Sequence, residues 1–229
     1  MGLFSKKPTI LSSGIFEGFT DYHSHILPGV DDGIRSMEDS LAVLNFYESI
    51  GVKTVWCTPH IMEDFPNTPE ALKQRFAQLK EAYNGPIELH LAAEHMLDGL
   101  FEERLPKGEV LPMNFDGWDC LLVETSYFQP PSNMDDMLRS VFSAGFYPIL
   151  AHPERYVYME KKDYKRLAGM GVRLQLNVTS LGGCYGPDAK NKAEWLLKNG
   201  MYSIMGTDIH SLHSFRERIN AKTSCLKCK

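Results

Sequence analysis

Five of the eight histidines, His23, His25, His60, His152 and His210, stand just past the ends of apolar runs that read as β-strands. Each lies beside a carboxylate or is soon followed by one. The segments are Asp-Tyr-His-Ser-His (Asp21 to His25), Thr-Pro-His (Thr58 to His60), Ala-His-Pro-Glu-Arg (Ala151 to Arg155) and Gly-Thr-Asp-Ile-His (Gly206 to His210). Imidazoles and carboxylates gathered at one end of a sheet or barrel are what a multi-metal hydrolase needs. Residues two apart at a strand end point the same way, so His23 and His25 can both reach one ion. A His-x-His alone is weak evidence, because a histidine-rich chain produces one by chance. Asp208-x-His210 repeats the geometry with mixed ligands, and the two together are much less accidental.

Glu94 and Glu124 end the apolar runs Leu-His-Leu-Ala-Ala and Cys-Leu-Leu-Val. A charge there is costly unless it is paired with Lys or Arg at the rim or bound to a metal, and the company of the histidines favours metal. Asp31 and Asp32 precede Gly33, where both can be turn formers or one can be a ligand; spacing alone does not choose. His90, inside a strand run, and His213, at a helix start, fit structural roles, and the role of His95 stays open.

Positioning these groups requires elements whose ends converge. Strand signals fall at Phe19–Tyr22, Lys53–Cys57, Ile87–Ala92, Cys120–Val123, Tyr147–Leu150, Arg173–Leu176 and Tyr202–Met205, with helical patterns between most of them. Ser36 with Asp39 reads as a capping box. Thr68-Pro69 is an N-cap with proline in the first turn, and Asn133 starts a helix that Gly145 can end; Gly171 and Gly200 close two later ones. This alternation predicts an α/β fold with a largely parallel sheet. Ligands after at least five strands must meet at one mouth, which favours a closed barrel over an open sheet; no Gly-x-Gly-x-x-Gly loop marks a switch point. Residues 1–16 lack periodicity and are expected to form an arm rather than a core element, leaving 17–229 as one domain.

Composition narrows the function. At 229 residues and 43% apolar, the chain can build one large core. A net charge of −5 without a basic stripe argues against nucleic acid. No apolar stretch reaches membrane-span length and no signal peptide is recognisable, so a cytoplasmic protein is expected. Lys6 stands where a myristoylation motif beginning at Gly2 wants Ser or Thr. Five scattered cysteines fit reduced thiols, and Cys225-x-x-Cys228 lacks the partners for zinc or the context for redox chemistry. Cysteine-phosphatase chemistry needs Cys-x5-Arg, but the residues six past Cys57, Cys120 and Cys184 are Glu63, Ser126 and Lys190. Gly-x-Ser-x-Gly and Walker loops are absent. Hydrolysis would therefore rest on metals rather than on a covalent nucleophile.

The order His23-x-His25, Asp-Asp-Gly, His60, Glu94, Glu124, His152-Pro-Glu-Arg155 and Asp208-x-His210 resembles the polymerase-and-histidinol-phosphatase (PHP) superfamily. Within it, Asp-Tyr-His-Ser-His-Ile-Leu-Pro-Gly-Val-Asp-Asp-Gly, Ala-His-Pro-Glu-Arg-Tyr and Gly-Thr-Asp-Ile-His look like the bacterial capsular-polysaccharide type of tyrosine-protein phosphatase. The resemblance runs from about Phe19 to His210. It implies a distorted seven-stranded (βα), TIM-like barrel with three divalent ions, Mn2+ above all, with Fe or Zn as alternatives. By that resemblance the first ion takes His23, His25, Glu94 and Asp208. The second shares Glu94 and adds Glu124 and His152; the third takes Asp32, His60 and His210, preferring Asp32 over Asp31.

A metal-bridging water, its pKa lowered from 15.7 toward about 7, would supply hydroxide to attack phosphorus in line. Arg155 is placed to clamp phosphate bidentately, with an ion pair at the rim as its other role. The family also puts an arginine shortly after Asp-x-His, and Arg216 is nearest, with Arg218 competing. Phe65, Tyr127, Phe128 and Tyr156 are candidates to receive a substrate ring or to be core. Only residues 211–229 follow His210, so a final helix is expected to be short or missing. The expected activity is dephosphorylation of a bacterial tyrosine autokinase that controls capsular or exopolysaccharide synthesis; a homo-oligomer is compatible with it. The alternatives are a small-molecule phosphoesterase of the histidinol-phosphate type and a non-catalytic metal-binding module.

Overall fold

Each of the seven apolar runs becomes a parallel strand in the computed structural model, which describes residues 7–226. The chain runs β1 (Thr20–Ser24), α1 (Met37–Ile50), β2 (Thr54–Cys57), β3 (His60–Ile61), α2 (Pro69–Ala82), β4 (Glu88–Leu91), β5 (Glu94–Met96) and α3 (Gly99–Arg104). It continues with β6 (Met113–Phe115), β7 (Trp118–Glu124), α4 (Met134–Ser143), β8 (Tyr147–Leu150), α5 (Lys161–Gly169), β9 (Arg173–Asn177), α6 (Gly186–Lys198), β10 (Ile204–Gly206) and α7 (Leu212–Ile219).

Hydrogen bonds link the strands in the orders β1-β2-β4 and β10-β9-β8-β7-β5-β3, all parallel, with β6 antiparallel on β7. Two strands are each broken in two: β2 resumes as β3 past Thr58-Pro59, and β4 resumes as β5 past Ala92-Ala93. Across the breaks the bonding continues, from Ala92 N to Cys57 O and from Glu94 N to Pro59 O. Asp208 N donates to His23 O, and His25 N to Ile209 O. The result is a curled parallel sheet with helices outside it.

Local chemistry sets the ends of the elements. Ser36 accepts the Asp39 N–H at the start of α1, and Gly51, at φ 98°, ends it. Thr68 caps α2 ahead of Pro69 in the same way. Asn133 precedes α4 but caps nothing; its side chain donates to Glu102 instead. The α7 helix is present and only eight residues long. Strand alternation sorts β7: Leu121 and Val123 pack under α4 and α5, whereas Cys120 and Leu122 fill the inside of the curl. Glu124, next on that inner face, reaches the site.

Three strands lie outside the sequence expectation. The two-residue β3 and three-residue β5 are too short for a periodicity to register. Strand β6 pairs with β7 through Asp116-Gly117, both at positive φ (55° and 79°), a hairpin signal that passed unused. The described part of the N-terminal arm packs into the core, which its lack of periodicity did not predict. Within residues 7–16, Ile10 and Phe16 are fully enclosed in the core, Thr9 bridges Lys222, and Ile10 N donates to Ala221 O. Two apolar residues sufficed to dock it without periodicity. Lys6 and Cys228 lie outside the described residues. Cys57, Cys120, Cys184 and Cys225 are free thiols. Among the described residues no helix is long and apolar enough to cross a membrane.

Candidate metal centre

All nine expected ligands lie at the strand ends around Glu94. Glu94 Oε2 lies 3.1 Å from His23 Nε2, 3.3 Å from His25 Nε2 and 3.3 Å from His60 Nδ1, and Oε1 lies 3.0 Å from His152 Nε2. Asp208 Oδ1 is 3.6 and 3.4 Å from the same nitrogens of His23 and His25. Glu124 meets His60 Nδ1 at 3.1 Å and His152 Nε2 at 3.8 Å. Asp32 Oδ1 is 3.5 Å from His60 Nε2 and 3.4 Å from His210 Nε2. Three ligand groups emerge: His23, His25 and Glu94; His60, Glu94 and Glu124; His25, Asp32, His60 and His210. His60 borders two of these groups, Nδ1 toward Glu94 and Glu124 and Nε2 toward Asp32, but a neutral imidazole has one lone pair and can serve only one of them.

The donor chemistry fits cations. His23 Nδ1 donates to Gln175 Oε1 at 3.0 Å and His25 Nδ1 to Asp31 Oδ2 at 2.8 Å. Both Nε2 lone pairs then face one another at 3.2 Å, across from a carboxylate oxygen. Only a positive charge between them relieves that repulsion. Glu94 Oε2, His60 Nδ1 and His152 Nδ1 are buried without any hydrogen-bond partner, a cost that ligation removes for the Glu94 oxygen.

Protonation stands in for metal in this geometry. Burial alone would depress the His23 imidazole, but Glu94 and Asp208 push it up to about 9. His25 is driven well above its ordinary value against burial by Asp31, Asp208 and Glu94. Burial would raise Glu94 and Asp208, yet the surrounding imidazoles hold both well below the usual carboxylate range. A hydrogen bond from His210 holds Asp32 down at about 2.

The Asp31–Asp32 alternative separates cleanly. Asp31 is turned inward, orienting His25 and accepting the His60 and Gly33 main-chain N–H groups. Asp32 projects half-exposed between His60 and His210. Gly33 permits this turn by close approach: a Cβ there would stand 2.4 Å from that of His25. Gly206 approaches His23 just as closely. His152 (φ 32°) and Asp208 (φ 53°) hold left-handed backbone without being glycine, strain concentrated at the site.

Asp21, buried and raised by desolvation to about 6, accepts from Tyr47 Oη, Thr207 N, Thr207 Oγ1 and His23 N. It ties β1 to the turn that delivers Asp208. Glu154, between His152 and Arg155, is also buried and accepts from Asn177 N, Ser180 Oγ and Tyr202 Oη. Sequence reading passed over both, since only three-dimensional pairing distinguishes them from ordinary acidic residues.

Arg155 donates to Asp208 Oδ2 at 2.5 Å, with its guanidinium 4.3 Å from the Tyr127 ring and 4.1 Å from the Tyr185 ring. Arg216 stacks on Phe46 and lines, with Asp32, Arg35, His210 and Leu212, a cleft of about 680 Å3. Arg218 instead donates to Tyr185 Oη at 3.0 Å. Tyr156 is core, its hydroxyl accepting from Thr125 N, because its ring packs among Tyr127, Tyr158 and His152. Phe65 lies against His60 and Phe128 is exposed. His95 is structural: buried and held down at about 4, it accepts from Leu111 N and donates to Leu122 O. His90 stacks on Trp56, and His213 is exposed beside Glu217.

Buried imidazoles sharing carboxylates at the strand ends of an α/β fold are the kind of centre that metal-dependent hydrolases use. The chain belongs to the capsular polysaccharide synthesis family CpsB/CapC, whose sequence profile matches residues 19–229. It is 30% identical over 207 residues to the tyrosine-protein phosphatase CpsB of Streptococcus pneumoniae, covering 85% of this chain and 84% of that protein. It is 27% identical over 198 residues to the tyrosine-protein phosphatase YwqE of Bacillus subtilis, covering 84% and 77%. Among solved structures, a crystal structure from work on YwqE and CpsB, described as unique metal-dependent tyrosine phosphatases, matches with a TM-score of 0.78. That match has 25% identity and covers 86% of this chain and 81% of that one.

Proposed function

We propose that this protein is a metal-dependent phosphotyrosine-protein phosphatase, acting in the cytoplasm on a bacterial tyrosine autokinase of capsular or exopolysaccharide synthesis. The observation that carries the reading is Glu94, one buried carboxylate in reach of four imidazoles from three other segments, in a chain of the CpsB/CapC family. Three divalent ions, Mn2+ first among them, would be held by His23, His25, Glu94 and Asp208; by Glu94, Glu124 and His152; and by Asp32, His60 and His210. Bound there, the ions supply an ionised water as nucleophile and positive charge for the phosphoryl oxygens.

The chain's own residues do the rest. Two tyrosines hold the Arg155 guanidinium flat while one N–H engages Asp208, which leaves other N–H groups for phosphate. Arg216 flanks the cleft beside Asp32 and His210, where the peptide around the phosphotyrosine would lie. A phenolate with a parent pKa of about 10 leaves with little proton help. A thiol nucleophile is disfavoured, since burial pushes Cys57 up to about 12 and raises Cys120 as well.

The finer architecture is read as a distorted seven-stranded PHP barrel, supported by the Ser24–Ile209 bridge that joins β1 to the end of β10 and by the continuity of β2 with β3 and β4 with β5. Residues 17–229 would form its one domain and residues 1–16 an N-terminal arm, whose described part, residues 7–16, packs on it. Turnover of a phosphotyrosyl peptide against histidinol phosphate, in Mn2+ and in chelator, tests the proposal. Preference for histidinol phosphate, or full activity in chelator, would refute it.

A further inference from the structure

Strand β9 lies between β8 and β10, which both lead into candidate ligands, yet it supplies none itself. Instead it carries two buried amides two residues apart, Gln175 and Asn177, which alternation sets on one face. Asn177 Nδ2 donates to Asp208 Oδ2 at 3.0 Å. Gln175 Oε1 accepts twice, from His23 Nδ1 at 3.0 Å and from the main-chain N–H of His152 at 3.1 Å, while its Nε2 donates to Leu176 O. The opposite amide orientation would set an NH2 group against those two donors.

This contact puts the His23 proton on Nδ1 and its lone pair on Nε2, facing Glu94 and Asp208. The same oxygen pins the His152 amide at its left-handed backbone position. We propose that Gln175 is a positioning residue that couples the first ion's His23 to the second ion's His152 through one neutral acceptor. The proposal rests on the ligand assignment above. His25 is oriented by the Asp31 carboxylate, whereas Gln175 orients its ligand without adding a further buried negative charge beside Glu94, Glu124 and Asp208.

The test compares wild type, Gln175→Leu and Gln175→Glu as full chains. Mn2+ affinity is read by chelator competition, with circular dichroism to verify folding. Gln175→Leu should weaken Mn2+ binding by about 10–100-fold, as loss of an outer hydrogen bond to a ligating histidine does. Gln175→Glu keeps an acceptor oxygen in place and should bind Mn2+ within a few-fold of wild type, while its added buried charge and the lost donor to Leu176 O lower the Tm of the metal-free protein. Unchanged affinity in Gln175→Leu overturns the proposal, and so does equal loss in both variants, because acceptance would then not be the property that matters. Should Gln175→Leu not fold, Gln175→Asn, whose oxygen is drawn back by one methylene, takes its place with the same expectation. A wild type that binds no divalent ion would instead overturn the metal reading itself.

Discussion

Raising the pH of the metal-free protein from 6.5 to 9 should destabilise it, while the Mn2+-loaded protein should hold. The His23 imidazole rises from 6.5 in an open chain to about 9 in the fold, because Glu94 and Asp208 outweigh its burial. A group with a raised folded pKa contributes fully below its unfolded value, and that contribution is lost as the pH climbs through the folded one. The 2.5-unit difference is worth about 3 kcal/mol at 1.36 kcal/mol per unit. His25, also raised and fully buried, adds in the same direction. For a domain of this size about 3 kcal/mol lowers Tm by roughly 6–12 °C.

Other buried groups act in different windows. Asp21, raised to about 6, has lost its contribution by pH 6. Glu94 and Asp208, held low, lose theirs only on acidification below about pH 4. His95, held at about 4, matters only between pH 6.5 and 4. Ligation keeps the imidazoles unprotonated, so the loaded protein has no such protons to lose. The assay is thermal unfolding across this range in chelator and in Mn2+. A metal-free Tm that stays flat or rises between pH 6.5 and 9 would refute the reasoning.

Gly206→Ala sets a Cβ 2.4 Å from the His23 Cβ and 2.8 Å from its backbone N; it should cost about 1–3 kcal/mol in unfolding and reduce bound metal in the same preparation. Arg155→Lys keeps the charge but loses the planar fork between Tyr127 and Tyr185; kcat/KM on a phosphotyrosyl peptide should fall about 10–100-fold, by more than any fall in bound metal. Gly117→Ala forces a side chain into φ 79° in a hairpin far from the ligands; it should lower stability by about 1 kcal/mol by denaturant unfolding, with activity per folded molecule intact. Asp31→Asn, which replaces the acceptor on His25 with a weaker one, should weaken Mn2+ binding about 10-fold or more by chelator competition, without loss of fold.

Strands and helix starts were legible because each depends on a short local cue: apolar runs for the seven strands, and Ser36 and Thr68 for the first two long helices. Candidate ligands were legible because metal chemistry restricts residue types and strand ends restrict their places. What stayed hidden is whatever depends on a partner distant in sequence. Gln175 and His23 are 152 residues apart, and Asp21 and Thr207 are 186 apart. Nothing local distinguishes Gln175 from any other polar residue on an inner strand face. The docking of residues 7–16 escaped for the same reason, since Ile10 and Phe16 show their role only against α7 and the segment that follows it. Asp-Asp-Gly is the instructive intermediate: spacing marked both aspartates, and only the inward turn that Gly33 allows separates Asp31, which orients, from Asp32, which faces His210.

The strain at His152 and Asp208 then acquires a reason. Each follows a strand of the curled sheet, and continued extended backbone would carry its side chain along the strand rather than across the mouth toward Glu94. Left-handed φ redirects each chain inward, at a cost of order 1–3 kcal/mol per residue. Hydrogen bonds hold both kinks: Gln175 on the His152 amide, and Asn177 and Arg155 on the Asp208 carboxylate. Two of those three partners come from β9, the strand without ligands. Its neutral amides fix that geometry while leaving the charge balance to the ligands themselves, so the two strained turns of a site crowded with carboxylates are held by residues that add none.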